Sequence, residues 1–91
     1  MVKKVVITGT FFDSLREYYL FICKDSIKRA NIFYSKCIDS IESISQFPNI
    51  GIKQESFTYY YVFHKNYSIL YENLIDSILF LNLLHSRKNN Y

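Results

Sequence analysis

The short stretch "FPNIG", Phe47 to Gly51, constrains the chain most, because the hydrophobic pattern changes period across it. Pro48 has no amide to donate and pushes Phe47 out of helical geometry, and Gly51 can take a turn conformation. Before the break, apolar residues recur at steps of three and four. After it they fall into short β-branched and aromatic runs, the spacing of strands. The chain has 91 residues, of which 49% are hydrophobic and 19% aromatic. That suits one domain, residues 1–91, with a core of its own, and excludes a disordered chain.

Val5 to Thr8, with Gly9 behind it, reads as a first strand. Thr10 followed by Asp13 marks a helix start, since a threonine oxygen can accept from the free amides of a first turn. From Phe11 to about Lys24, Phe11, Leu15, Tyr18 and Ile22 share one helical face. Phe12, Tyr19 and Cys23 form a second stripe, and Leu20 and Phe21 fall outside both. This helix is more apolar than a surface helix requires. Asp25 or Ser26 can cap a second helix running to about Phe47, with a seam of Ile27, Ala30, Tyr34, Cys37, Ile41 and Ile44 flanked by Phe33 and Ile38. Ile32 lands on its polar side.

Beyond the break lie "FTYYYVF" (Phe57–Phe63), "YSILYE" (Tyr67–Glu72) and "SILFLNLL" (Ser77–Leu84). His64, Lys65 and Asn66 join the first two as a hairpin turn. The last run does not alternate, which suits a central strand covered on both faces. The expected fold is α+β in the order β-α-α-β-β-β, a helical hairpin packed on one face of a mostly antiparallel sheet. The other face would carry members of the Tyr59–Tyr61 run, Tyr71 and Asn82.

The net charge of +3 is mild and does not demand an acidic partner. Cys23 and Cys37 are the only cysteines, lack C-x-x-C spacing and have no histidine at ligand spacing, so two reduced, buried fillers are expected, with no metal site and no cofactor. Neither a signal-peptide apolar region nor a stretch of membrane-spanning length is seen, so a cytoplasmic protein without a membrane partner is expected.

Four pieces then occur in a telling order: "RANIFY" in the second helix, "FPNIG", "YSILYE", and "LNLLHSRK" at the end. Together they resemble the RelE/ParE superfamily of type II toxin–antitoxin toxins over nearly the whole chain. Many ParE-like sequences carry an alanine and an aromatic at the positions of Ala30 and Phe33, then Pro-x-x-Gly, a Tyr-x-Ile-x-Tyr-like strand, and Leu-His with arginine just after. The chain departs from the pattern where arginines are common, carrying Tyr60 and Asn82 instead. In RelE-type members such basic residues hold messenger RNA and stabilise the charge of phosphodiester cleavage. Tyrosine and asparagine supply neither the charge nor the bidentate geometry.

The resemblance therefore implies a ParE-like toxin that binds DNA gyrase, is neutralised by a cognate antitoxin, and forms a heteromeric toxin–antitoxin complex or a homodimer. Its target contacts would be Lys53, Arg87 and Lys88. The antitoxin would cover Phe12, Tyr19, Leu20 and Ile32, the apolar excess of the helices. The alternative is a ribosome-dependent messenger-RNA endonuclease, with catalytic His85 beside Lys53, Arg87 and Tyr91. His85 could act as acid or base near neutral pH only if another group oriented it. A third possibility is a toxin fold without toxicity that survives as an interaction module. His64 and Lys65, at a hairpin tip, read as turn chemistry.

Overall fold

A computed structural model describes residues 3–86. The elements are β1 (Lys4–Ile7), α1 (Gly9–Cys23), α2 (Ile27–Gln46), β2 (Ile52–Glu55), β3 (Thr58–His64), β4 (Tyr67–Asn73) and β5 (Ser77–His85). They form one five-stranded sheet in the order β1-β5-β4-β3-β2. β1 runs parallel to β5 and every other pairing is antiparallel. The two helices pack on one face, giving the expected α+β layout with one strand more than the sequence suggests.

That extra strand is β2. Its four residues, "IKQE", are all exposed and carry no alternation that would mark a strand. It exists because the Pro-x-x-Gly turn delivers the chain to the free edge of β3, where Ile52 pairs with Tyr60 and Lys53 with Tyr59.

Helix α1 begins earlier than Thr10. Thr8, placed in the first strand on sequence grounds, is the N-cap, and its hydroxyl accepts from the Phe11 amide at 3.2 Å. The same hydroxyl donates to the Phe80 carbonyl at 2.9 Å, so one side chain caps the helix and ties its start to β5. Of the two candidate caps, Ser26 and not Asp25 caps α2, accepting from the Arg29 amide. The α1 face is also as expected, with Phe11 and Leu15 buried and Tyr18 and Ile22 packed against the core.

The α2 seam is rotated from the expected one. Ala30, Phe33, Cys37, Ser40 and Ile44 are buried, whereas Ile27 and Tyr34 are exposed. Phe33 turns the helix, its ring 4.7 Å from that of Tyr67 on β4. The flanking residue is therefore the centre of the seam. Ser40 is accommodated because its hydroxyl donates to the Lys36 carbonyl one turn back.

The unbroken apolar run of β5 has a different cause from the one its composition suggests. The strand is central, but it contains a bulge. Leu70 pairs with Asn82 and Tyr71 with Phe80, leaving Leu81 as the extra residue. Ile78 and Phe80 face the core before the bulge and Leu83 faces it after, so the apolar pattern slips by one. Asn82 and Tyr71 do not line the open face. Asn82 accepts from Ser14 of α1 at 2.6 Å, and Tyr71 is fully buried.

Tyr71 closes the junction between the layers. Its hydroxyl donates to the Pro48 carbonyl at 2.6 Å and accepts from the Gly51 amide at 3.1 Å. Tyr59 stacks on the same ring, with centroids 5.4 Å apart. Asn49, inside the turn, accepts from Tyr59 and from Asn73. Gly51 is needed here for space and not for a turn conformation, since no glycine among the described residues has positive φ. A Cβ at position 51 would lie 2.6 Å from the Tyr71 oxygen and 2.8 Å from the Tyr60 carbonyl oxygen.

Cys37 is fully buried and Cys23 only half-buried, so one of the two expected fillers sits at the surface of the core.

Two measurements test this packing. Tyr71→Phe leaves a carbonyl and an amide without their phenol and should cost about 1–3 kcal/mol in urea unfolding. A change within experimental error would mean that water replaces the clamp at no cost. Burial pushes the Cys37 thiol up to about 12, so it stays protonated at ordinary pH. A thiol reagent at about pH 8 should label Cys23 in the native protein and reach Cys37 only on unfolding. Equal rates at both would contradict the buried α2 seam.

Candidate functional site

Of the recesses along the helical hairpin, two bring together residues from more than one element, and both depend on the excess of apolar residues along it. The first is a groove of about 420 Å³ between α1 and α2. Phe12, Leu15, Arg16 and Tyr19 form its α1 side, and Asn31 and Tyr34 its α2 side. The Tyr19 hydroxyl donates to Asn31 Oδ1 at 2.8 Å, and the rings of Tyr19 and Tyr34 meet edge to face at 6.0 Å. These contacts fix the groove floor without covering it. Phe12 is 56% exposed and Tyr34 46%. An exposed aromatic beside a groove of polar and aromatic character is the usual form of a surface that another chain covers.

The four residues expected to form one contact are divided by this geometry. Phe12 and Tyr19 line the groove. Leu20, 53% exposed, lies outside it, and Ile32 faces the opposite side of α2, over recesses shared with Ile27 and Arg29. Arg16, Asn31 and Tyr34 were not singled out in the sequence. Tyr34 was assigned to the buried seam, and the rotation of α2 is what brings it to the groove.

The second recess lies where the tip of the helical hairpin meets the tip of the β3–β4 hairpin. It is a cleft of about 670 Å³ that holds His85. The His85 ring stands edge-on to Tyr67, with centroids 4.4 Å apart, and approaches Tyr18 at 6.3 Å. β5 pairs His85 with Tyr67, whose burial raises its phenol pKa, with Tyr18 adding to the effect. His64 and Lys65, read as turn chemistry, reach the same cleft, as does Arg29 from the first turn of α2. The His64 pKa is lowered, first by burial and then by the charges of Lys65 and Lys36.

Lys53 is exposed on β2 and does not join this cluster. β3 and β4 separate β2 from β5, so three interstrand spacings of about 4.8 Å already put Lys53 roughly 14 Å from His85 across the sheet. The two also lie toward opposite ends of the strands, Lys53 opposite Tyr59 and His85 opposite Tyr67. Arg87, Lys88 and Tyr91 lie outside the described residues. Among the described residues, no group of three or more His, Cys, Asp and Glu converges as a metal site would require, and no helix is long and apolar enough to cross a membrane.

The comparisons agree with this architecture. The chromosomal ParDE toxin–antitoxin system from P. aeruginosa contains a chain that matches with a TM-score of 0.76 at 11% sequence identity. The match covers 92% of this chain and 96% of that one, and so establishes the shared fold. No curated protein sequence matches. The family model for the ParE toxin of the type II toxin–antitoxin system parDE matches residues 5–90. That span takes in both helices, all of the sheet but its first residue and the basic segment after it, and the chain belongs to the ParE toxin family.

Proposed function

We propose that this chain is a toxin that arrests growth by binding DNA gyrase in the cytoplasm, and that a cognate antitoxin silences it in a heteromeric complex. The observation that carries the antitoxin half is the α1/α2 groove with Phe12 and Tyr34 exposed beside it. A segment that folds on binding could bury those rings and extend over Leu20 along α1. Ile32 would be covered only by a segment that also crosses α2. The gyrase half rests on membership of the ParE family. Its contacts would be Lys53 on the edge strand together with Arg87 and Lys88, acting by stoichiometric binding and not by turnover.

Against the endonuclease alternative stand Tyr60 and Asn82 in place of arginines, and the separation of Lys53 from His85 across the sheet. A phosphoryl-transfer site needs several donors fixed around one phosphate, and these two residues cannot share one.

Pulse-labelling after induction without antitoxin tests the target. An early fall in DNA synthesis with continuing translation is expected, and it should survive His85→Ala but weaken on Arg87→Ala/Lys88→Ala. An immediate fall in protein synthesis would replace gyrase with the ribosome, and no arrest at any expression level would make the chain an inert interaction module.

The groove is tested separately. Phe12→Asp changes an exposed side chain and should leave the fold and the growth arrest intact. Loss of a central aromatic anchor should weaken antitoxin binding by about 2 kcal/mol, roughly 30-fold, as read by titration of the purified pair. Unchanged affinity would place the antitoxin elsewhere.

A further inference from the structure

The open side of the sheet breaks the rule that the uncovered face of an antiparallel sheet is polar. Both helices lie on the other side, where Phe33 of α2 meets Tyr67 and Phe11 of α1 meets Phe80. From Tyr67 to Glu72, β4 alternates between buried and half-buried residues, so Ser68, Leu70 and Glu72 point away from the helices. Tyr59, Tyr61 and Phe63 of β3 pack against the core, which turns Thr58, Tyr60 and Val62 outward as well. On β5, Leu79 lies between buried Ile78 and Phe80, and Leu84 follows buried Leu83.

Strand register sets these outward side chains in three rows. The middle row is Leu70, Tyr60 and Ile52, paired across β4, β3 and β2. Toward the β4–β5 turn comes a row of Leu79, Glu72 and Thr58, and toward the β3–β4 turn a row of Leu84, Ser68 and Val62. Adjacent rows are two residues apart, about 6.8 Å. Ile52 is 56% exposed and Val62 53%. Six of these nine side chains are apolar, yet no described helix covers them.

A twofold axis along the middle row makes this pattern complementary to itself. Leu70, Tyr60 and Ile52 each meet the same residue of a second copy. Leu79 then meets Leu84 and Thr58 meets Val62. The Glu72 carboxylate, the one charge among the nine, meets the Ser68 hydroxyl, which can donate to it. Every contact off the axis occurs twice, as an isologous interface requires. Two sheets of equal twist stack with their strands nearly aligned, about 10 Å apart. Five strands about 4.8 Å apart, over about 20 Å of strand length, let two copies bury on the order of 1,000 Å², the lower end for a specific interface.

We infer that the open face of the sheet is a homodimer interface, closed by a second copy about this axis. The α1/α2 grooves lie on the two outer sides of such a dimer and stay free. The small area makes the association reversible, with a dissociation constant in the micromolar range.

The test is sedimentation equilibrium of the full chain, purified alone, from about 1 μM to about 500 μM, which brackets that range. A rise from the mass of one chain to that of two is expected. Tyr60→Lys sets two ammonium groups against each other across the axis and should weaken the dimer roughly tenfold or more. Ile52→Lys repeats the change on the exposed edge strand, where the fold is least at risk, and should weaken it in the same direction. Ser68→Lys should do the opposite and tighten the dimer severalfold, because it places an ammonium opposite Glu72 of the second copy, twice per dimer. A mass of one chain at every concentration would overturn the inference. So would a dimer indifferent to both Tyr60→Lys and Ile52→Lys, one weakened by Ser68→Lys, or one abolished by Phe12→Asp, which would place self-association in the helical groove. A monomer whose Leu70 and Val62 methyl signals shift only when antitoxin is added would also overturn it, and would give the face to the antitoxin.

Discussion

One phenol holds the two layers of this protein together. The Tyr71 ring is buried in the middle of the sheet, yet its hydroxyl reaches the backbone of the turn that leaves α2, donating to Pro48 and accepting from Gly51. A fully buried tyrosine needs a partner for its oxygen, and a turn buried against a sheet needs partners for its amide and carbonyl. Each requirement meets the other. Gly51 follows from this contact, because any side chain there would occupy the space of the phenol oxygen. The path of β2, the edge of the sheet and the position of α2 over the core all follow from where this turn is pinned.

The legible parts of the fold were those in which local chemistry and global packing agree. Helical spacing showed the Phe11–Leu15–Tyr18–Ile22 face, and Ser26 was readable as a cap because its oxygen has an amide to satisfy one turn ahead. The illegible parts were those where packing chose among near-equal local options. α2 carries apolar residues on so much of its circumference that periodicity could not select its buried line, and the Phe33–Tyr67 contact decided it. β2 has no hydrophobic signature because it pairs through its backbone alone at an open edge. The bulge at Leu81 made one buried face look like two.

The candidate sites were legible to different degrees for the same reason. An exposed Phe12 or Leu20 can be suspected from a helix with too many apolar residues, since the excess must face something. The basic cleft could not be found that way. Arg29 and His85 are far apart in sequence, and His64 and Lys65 look like ordinary turn residues until the hairpin tip is seen against the helical one. Membership of the ParE family rests on nearly the full chain and accounts for the architecture. It does not say which exposed surface an antitoxin would cover.

The parallel pairing of β1 with β5 has a consequence for when the molecule can exist at all. β5 lies between β1 and β4, so β1 has no hydrogen-bonded neighbour until residues 77–85 have been made. Thr8 likewise finds its partner carbonyl only on β5. The nascent chain can form its helices and its β3–β4 hairpin from local contacts, but closing the sheet must wait for contacts of long sequence separation. A ribosome therefore carries a form with an open sheet until β5 emerges, although the α1/α2 groove is lined wholly by residues of helices made long before it.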